Sequence, residues 1–460
     1  MAQKKPSAWR YIVHLWNSQD IRRKLLITLG LLAIFRLAAN VPAPGVDAAA
    51  LKAFTQGTNS GGNFLGFLDL LSGGTISRFS LLSMGVYPYI TAQIIIQLLV
   101  PIIPALQRRM DDDPREGRKW MEKWTYYLAV PMAALSAIGQ INIFNSLAVQ
   151  ALGKPIVQFG FTSALWLPSV TILLTMTAGT MFAIWLGELI SEYGIRGQGL
   201  SLVIFAGIVA RMPQNLVGLL SDKTYGVTLL IITLIVLALL IYAIVFVTQG
   251  RRNVPVMYPG RRMGNRMSMP VKGTLPLMVN MAGMIPLIFA SAILQFPVII
   301  ASYFLNSQTV VVKSMASWVQ SNLGSNGTMY WILYFFMVVI FTFFYTTVLF
   351  DQQNYGENLK RVGAQVPGIN RGAPTQKYLK RVQSLITLPG ALFLGLVAIM
   401  PFLLGLGLKA TGITSTSSST SLLLVSSSGL LIVVGVVRDT FMNIEAELKL
   451  HGYQDTLLVK

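Results

Sequence analysis

The chain has no cysteine and only two histidines, His14 and His451. Without thiols there are no disulfides, no thiolate metal sites and no cysteine nucleophile. Charge is scarce too. Asp, Glu, Lys and Arg make up 12% of the 460 residues, about half the roughly 25% of a soluble domain. Motifs of soluble catalysis are also missing: no GxxxxGK[ST] phosphate loop, no HExxH and no GxSxG elbow occurs, so an ATP motor, a zinc protease and a serine hydrolase find no support. What is abundant is apolar, 53% of the chain, for a mean hydropathy of +0.61. This is the composition of an integral membrane protein.

A span needs roughly 20 apolar residues. Ten runs qualify, at 25–42, 77–101, 124–146, 165–187, 199–220, 226–248, 275–303, 329–350, 383–407 and 420–438. An even number predicts both termini on one side. The first 24 residues are polar and basic, which argues against an N-terminal signal peptide.

The charges assign the sides. Of 36 Lys and Arg, 28 fall in the segments 1–24, 105–123, 250–274 and 351–382, at Arg196, and in the tail from Arg438. The alternate connections hold six. By the positive-inside bias the basic segments and both ends are cytoplasmic, so the pI near 10.1 is a topology signal, not a nucleic-acid footprint. The loops 250–274 and 351–382 are long, strongly basic and broken by Pro and Gly. They read as projecting turns that attract anionic lipid or dock an acidic or RNA-containing partner.

Inside the spans, carboxylates are absent: every Asp and Glu lies in a loop or at a span end, as Glu188, Glu192 and Asp351 do. Ion-coupled pumps keep titratable groups within the bilayer, so no proton relay can be assembled here. Arg36 and Arg211 lie in spans and read either as snorkelling to the interface or as facing a watery interior. Polar side chains also punctuate the second span (Thr91, Gln93, Gln97) and the seventh (Asn280). Such groups need partners in hydrocarbon.

One stretch fits neither loop nor span. GGNFLGFLDLLSGG, residues 61–74, holds ten mostly apolar residues between glycines. As a helix these would reach ~15 Å, half of a ~30 Å hydrocarbon core. On its own this reads as an interfacial helix.

Six motifs in order across the ten runs resemble the SecY family, the channel subunits of the bacterial Sec protein translocon. They are NVPAPGVD (40–47), LLSGGTISRFSLLSMGVYPYITAQIIIQLLVPIIP (70–104), GLSLVIFAGIVARMP (199–213), VNMAGMIPLIFASAILQFP (279–297), VPGINRGAPTQKYLKRV (366–382) and SSGLLIVVGVVRD (427–439). The resemblance implies an all-α integral membrane protein of the plasma membrane, with ten transmembrane helices in two pseudo-symmetric five-helix halves around a central hourglass pore. The cytoplasmic segment 1–24 would precede an N-terminal half at 25–220, with a C-terminal half at 226–438 and a cytoplasmic tail at 439–460.

The resemblance also assigns roles. It makes the short stretch a re-entrant plug of Asn63, Phe64, Leu65, Gly66, Phe67, Leu68, Asp69, Leu70, Leu71 and Ser72. It maps a constriction onto Val86, Ile90, Ile204, Ile208, Ile288 and Ile432. Thr91 and Phe296 match positions facing each other across a lateral gate, with Asn280 on the same seventh span as Phe296. Arg261, Arg262, Arg266, Arg371, Lys377, Lys380 and Arg381 match the docking surface for ribosomes and the SecA motor ATPase. Here the chain departs from the family: it reads PGINRG where PGIRPG is common, and the end of loop 250–274 is short and lacks the expected Gln-Ser-Thr-His.

Implied partners are SecE-like and SecG-like small membrane subunits, SecA, the ribosome, signal sequences and preproteins, and anionic lipid. No cofactor, metal or enzymatic activity is implied. The competing readings are a small-solute secondary transporter or uniporter and an intramembrane enzyme, for which no catalytic constellation is present.

Overall fold

Helices follow the apolar runs. The computed structural model describes residues 19–47, 51, 79–160, 165–220, 226–259, 262–263, 266–267, 271–304, 309–323, 328–410 and 427–450. In chain order the helices are α1 (Gln19–Ala38), α2 (Tyr87–Ile102), α3 (Pro104–Asp112), α4 (Pro114–Leu152), α5 (Trp166–Tyr193), α6 (Gly199–Leu220) and α7 (Gly226–Gln249). Then come α8 (Ile285–Phe304), α9 (Val310–Leu323), α10 (Thr328–Gln352), α11 (Tyr355–Arg361), α12 (Ala373–Ala410) and α13 (Ser427–Leu450). Each of the ten apolar runs overlaps one of these, although the second, expected from residue 77, turns helical only at Tyr87, after turns at 81–86; α3, α9 and α11 are short connectors. Among the described residues, four helices (α5, α7, α10 and α12) are long and apolar enough to cross a membrane on length and composition alone.

Local chemistry sets the ends. Asp113 caps α4 by accepting from the Arg115 and Glu116 amides at 2.9 and 3.3 Å, and Pro114 supplies the preset φ of a first turn. Gly153, at φ +70°, ends α4 in the left-handed conformation.

Helix ends and membrane exits differ. α12 begins at Ala373 and α13 runs on to Leu450, well outside the apolar windows 383–407 and 420–438. An apolar window marks where lipid ends, whereas the backbone hydrogen bonds continue into water. The seventh run needs a larger correction. Residues 271–278 are a β-strand and α8 starts only at Ile285, so the expected span at 275–303 begins ten residues late.

That strand belongs to the second departure. The basic loop 250–274 is a β-hairpin, not a set of turns: β1 (Arg251–Tyr258) pairs antiparallel with β4 (Val271–Met278), Arg251 opposite Met278 and Tyr258 opposite Val271. At its tip β2 (Arg262–Met263) pairs with β3 (Arg266–Met267). The all-helical expectation therefore holds for the apolar body, with a small sheet at its basic end.

Two large clusters bury the helices. The first joins α1, α5, α6 and α13 with the turn before α2. The second joins α7, α8, α10, α12 and α13. Met212 and Met284 pack against both.

Candidate functional site: a dry waist, a helical seam and a basic platform

Val86 immediately precedes α2, and its carbonyl accepts from the Ile90 amide at 3.1 Å. The two side chains therefore stand one turn apart on one face, as Ile204 and Ile208 do on α6. Val86, Ile204, Ile208 and Ile432 lie together in the first cluster, each at most 5% exposed, with half-buried Ile90 packed against them. Five of the six residues mapped to a constriction thus belong to one large buried cluster, which also takes in residues of α1 and α5. Ile288 on α8 is equally buried, at 4%, but lies outside that cluster; its neighbours Leu287 and Ala290 belong to the second.

A charged group braces this cluster. The Arg36 Nη2 on α1 donates to the Gly207 carbonyl on α6 at 3.2 Å. Gly207 lies between Ile204 and Ile208, so a guanidinium–carbonyl bond ties α1 to the turn of α6 that carries both. A charge-assisted bond is the stronger kind, and it answers the question that Arg36 raised as a sequence. The Arg211 side chain lies outside the described residues.

The seam runs where α8 packs against α2 and α4. Ile94 of α2, Phe289 of α8, Tyr345 of α10 and Ala282 before α8 form a buried cluster, with Ile90 and Leu98 packed on it. Phe289 stacks on Phe341 of α10, centroids 5.3 Å apart and planes 17° apart. The Tyr345 hydroxyl donates across the seam to the Gln97 Oε1 at 3.3 Å. Sequence reading singled out Gln97 as an amide needing a partner, but not this pairing.

The expected gate residues behave differently. Thr91 is buried and donates to its own helix, at the Pro88 carbonyl, at 2.9 Å. Asn280 precedes α8 instead of lying on it. Its side chain closes on Gly283, accepting from the amide at 2.9 Å and donating to the carbonyl at 3.2 Å, so it shapes the turn into α8. Phe296 is on α8 beside Pro297; its side chain lies outside the described residues. Thr91 and Asn280 are thus each satisfied locally, and no hydrogen bond joins them.

The stretch read as a plug, Asn63 to Ser72, lies outside the described residues, but both flanks of its segment are described. The Ala43 amide donates to the Phe79 carbonyl and the Leu81 amide to the Val41 carbonyl, both at 2.9 Å. Pro42 and Ser80 form an antiparallel bridge, as do Val46 and Val157. The chain therefore leaves and re-enters at one place. Phe79, fully buried and edge-on to Phe144 at 5.2 Å, takes a left-handed φ of +45°, a conformation that bulky residues adopt only where packing over-determines it.

The two basic loops form a single platform. The Met257 amide donates to the Gln365 carbonyl at 2.8 Å and the Gln365 amide to the Met257 carbonyl at 3.0 Å. Beneath this bridge Val254, Val256, Leu277, Phe350, Leu359, Ala364, Val366, Leu379 and Val382 make a compact core. The hairpin base is seated on α12. The Gln383 Nε2 donates to the Met278 carbonyl at 3.0 Å, and a Cβ at Gly390 would come within 2.7 Å of the Val279 carbonyl, an approach that only glycine permits there.

On this platform Arg262 and Arg266 sit at the hairpin tip on β2 and β3, while Arg261 lies outside the described residues. Arg371, Lys377 and Arg381 are exposed. Arg371 Nε donates to Gln365 Oε1 at 3.2 Å. Lys380 pairs with Asp351 at 2.7 Å, a half-exposed contact of the kind that contributes little. Lys377, Lys380 and Arg381, expected in a loop, stand on the first turns of α12.

Comparison with known proteins agrees with this architecture. The family model described as SecY matches residues 80–441. The protein translocase subunit SecY of Streptomyces griseus is 36% identical over 455 residues, covering 96% of this chain and 98% of that one. That of Corynebacterium glutamicum is 32% identical, covering 97% and 99%. The fold is similar to a solved structure described as "The structure of a protein conducting channel", at TM-score 0.59 and 18% identity over 94% of this chain and 93% of that one. A second, concerned with the plug domain of SecY and the closed state of its channel, gives TM-score 0.60 over the same shares. The chain belongs to the SecY family.

Proposed function

We propose that this chain is the channel subunit of a protein translocase, passing unfolded secretory proteins across the plasma membrane. It is not an enzyme by itself. The observation that supports the reading is that Val86, Ile90, Ile204, Ile208 and Ile432 share one buried apolar cluster. A ring of branched aliphatic groups dewets when empty and so impedes ions. It also grips an extended polypeptide without sequence preference, because dispersion is non-directional. In this reading Ile288 completes the ring once the helices adjust around a substrate.

The remaining roles are read from the charge pattern and the family resemblance. The ten helices cross the membrane with both termini and the platform in the cytoplasm, as the charge bias requires. The stretch 63–72 acts as the plug, and its paired flanks would let it swing out on a closed loop without loosening α1 or α2. The seam of α2 and α4 against α8 and α10 is the lateral gate, with Thr91 and Phe296 lining it and the Tyr345–Gln97 bond as its clasp. An apolar signal helix leaves through such a seam because lipid is its better solvent.

Work comes from outside the chain. Arg261, Arg262, Arg266, Arg371, Lys377, Lys380 and Arg381 present positive charge to a SecA-type motor or to the ribosome, and SecE-like and SecG-like helices cover part of the lipid-facing surface.

The test is reconstitution with the small subunits in proteoliposomes. Preprotein import should require the motor and ATP, and a disulfide between cysteines placed at Thr91 and Phe296 should stop it. Transport of small solutes without any preprotein import would instead select the uniporter.

A further inference from the structure

Helix α9 contributes no residue to the buried clusters described above. It joins α8 to α10 on the side opposite the basic platform and packs against both. Its 14 residues span ~21 Å, too short to cross a bilayer. Eleven of its residues divide into three faces. Val312, Ala316, Val319 and Leu323 point toward the protein, with Ala316 at 4% exposure. Lys313, Ser314, Ser317 and Ser321 are exposed on a polar face, where Ser317 and Ser321 donate only to carbonyls of their own helix. Between these lies a third stripe of Val311, Met315 and Trp318, spaced i, i+4, i+7 and exposed by 69, 66 and 59%.

No single solvent satisfies this pattern. A helix in water does not turn three large apolar side chains outward in a line, and a helix immersed in hydrocarbon does not expose a lysine beside three serines. A helix lying flat at the boundary satisfies both faces at once, and tryptophan favours that depth. The stripe is flanked in the chain by further exposed apolar groups, Ile300 and Phe304 at the end of α8 and Met329 and Ile332 at the start of α10.

We propose that α9 is an interfacial anchor: Val311, Met315 and Trp318 insert at the headgroup–acyl boundary of the external leaflet, while the serines and Lys313 face water. The anchor holds the outer ends of α8 and α10, the two helices on one side of the seam, to the bilayer surface. This rests on the membrane reading above.

The cysteine-free chain makes the test direct. Single cysteines at Val311, Met315, Ser317 and Ser321 are spin-labelled in the complete complex, in vesicles of phosphatidylethanolamine and phosphatidylglycerol. Continued preprotein import serves as the check on folding. Collision with oxygen should exceed collision with a nickel chelate at 311 and 315, and the order should reverse at 317 and 321. The two serine positions should also react with an impermeant maleimide added outside.

If the label at 315 favours the chelate, α9 is a water-exposed surface helix. If it is shielded from both reagents, a protein partner covers the stripe. Either result overturns the proposal. Reaction of 317 and 321 only from the vesicle interior would overturn the assignment to the external leaflet and the channel's orientation with it, a failure distinguishable from loss of the lipid signal at 315.

Discussion

If the two basic loops form one body, a cavity made under one of them must loosen the other. Val256 lies on β1 at 1% exposure, in the core shared with Ala364 and Val366 of the second loop. Val256→Ala removes two methyl groups. At ~0.8 kcal/mol per buried group, plus the cavity left behind, hairpin docking should weaken by roughly 1.5–3 kcal/mol. Val256, Ala364 and Val366 lie outside the ten apolar runs, so energies of transfer from water apply. The reporters are the Met257 and Gln365 amides, each bonded to the other's carbonyl. Amide hydrogen exchange at both should accelerate by about 10- to 100-fold, since every 1.4 kcal/mol is a factor of ten, and by the same factor, since one opening exposes both. Lys380→Ala, which breaks a half-exposed ion pair, should change either rate by less than about fivefold. Acceleration at Met257 with no change at Gln365 would refute the single platform.

Three further outcomes are expected. Ile208→Ser places a hydroxyl in the dry cluster and should raise the ion conductance of the resting complex in planar bilayers; an unchanged conductance would remove Ile208 from the constriction. Tyr345→Phe deletes the bond to Gln97, worth about 0.6 kcal/mol for a contact of this kind within a membrane, and should raise import of a preprotein with a weakened signal sequence by roughly threefold. Gln97→Ala in that background should add nothing more, and full additivity would show that the two residues act separately. Arg36→Gln removes the charge-assisted bond to Gly207, worth about 1.5–3 kcal/mol, and should lower the Tm of the purified complex more than Arg36→Lys does; equal losses would mean that the contact does not brace α6.

What was legible in the sequence follows from how far each signal reaches along the chain. The ten helices were, because an apolar run of span length is a strong local pattern. The hairpin carried its own signal, Val254 and Val256 alternating inward between exposed or half-buried neighbours, but Pro255 and Gly273 read as turn-breakers. The run LPLMVNMAGM hid the junction between β4 and α8, since a short apolar stretch does not distinguish a buried strand from a helix. The grouping of Val86, Ile90, Ile204, Ile208 and Ile432 in one cluster was expected only from resemblance: these residues are separated by up to several hundred positions, and aliphatics are common in every span. The Gln97–Tyr345 and Arg36–Gly207 bonds were beyond reach for the same reason. Asn280 was expected to need a partner, and the glycine three residues on supplies one, a local closure that an apolar run does not signal.

The joint between the two basic loops is made of main chain. Met257 and Gln365 meet through peptide groups, which every residue except proline possesses. Mutation can therefore exchange the side chains around this joint while leaving the joint intact. An arginine displaced by one place, as in PGINRG, redistributes charge over a frame whose shape is inherited separately. Divergent lineages can redistribute the charge of this surface through substitution alone, without having to evolve a new scaffold.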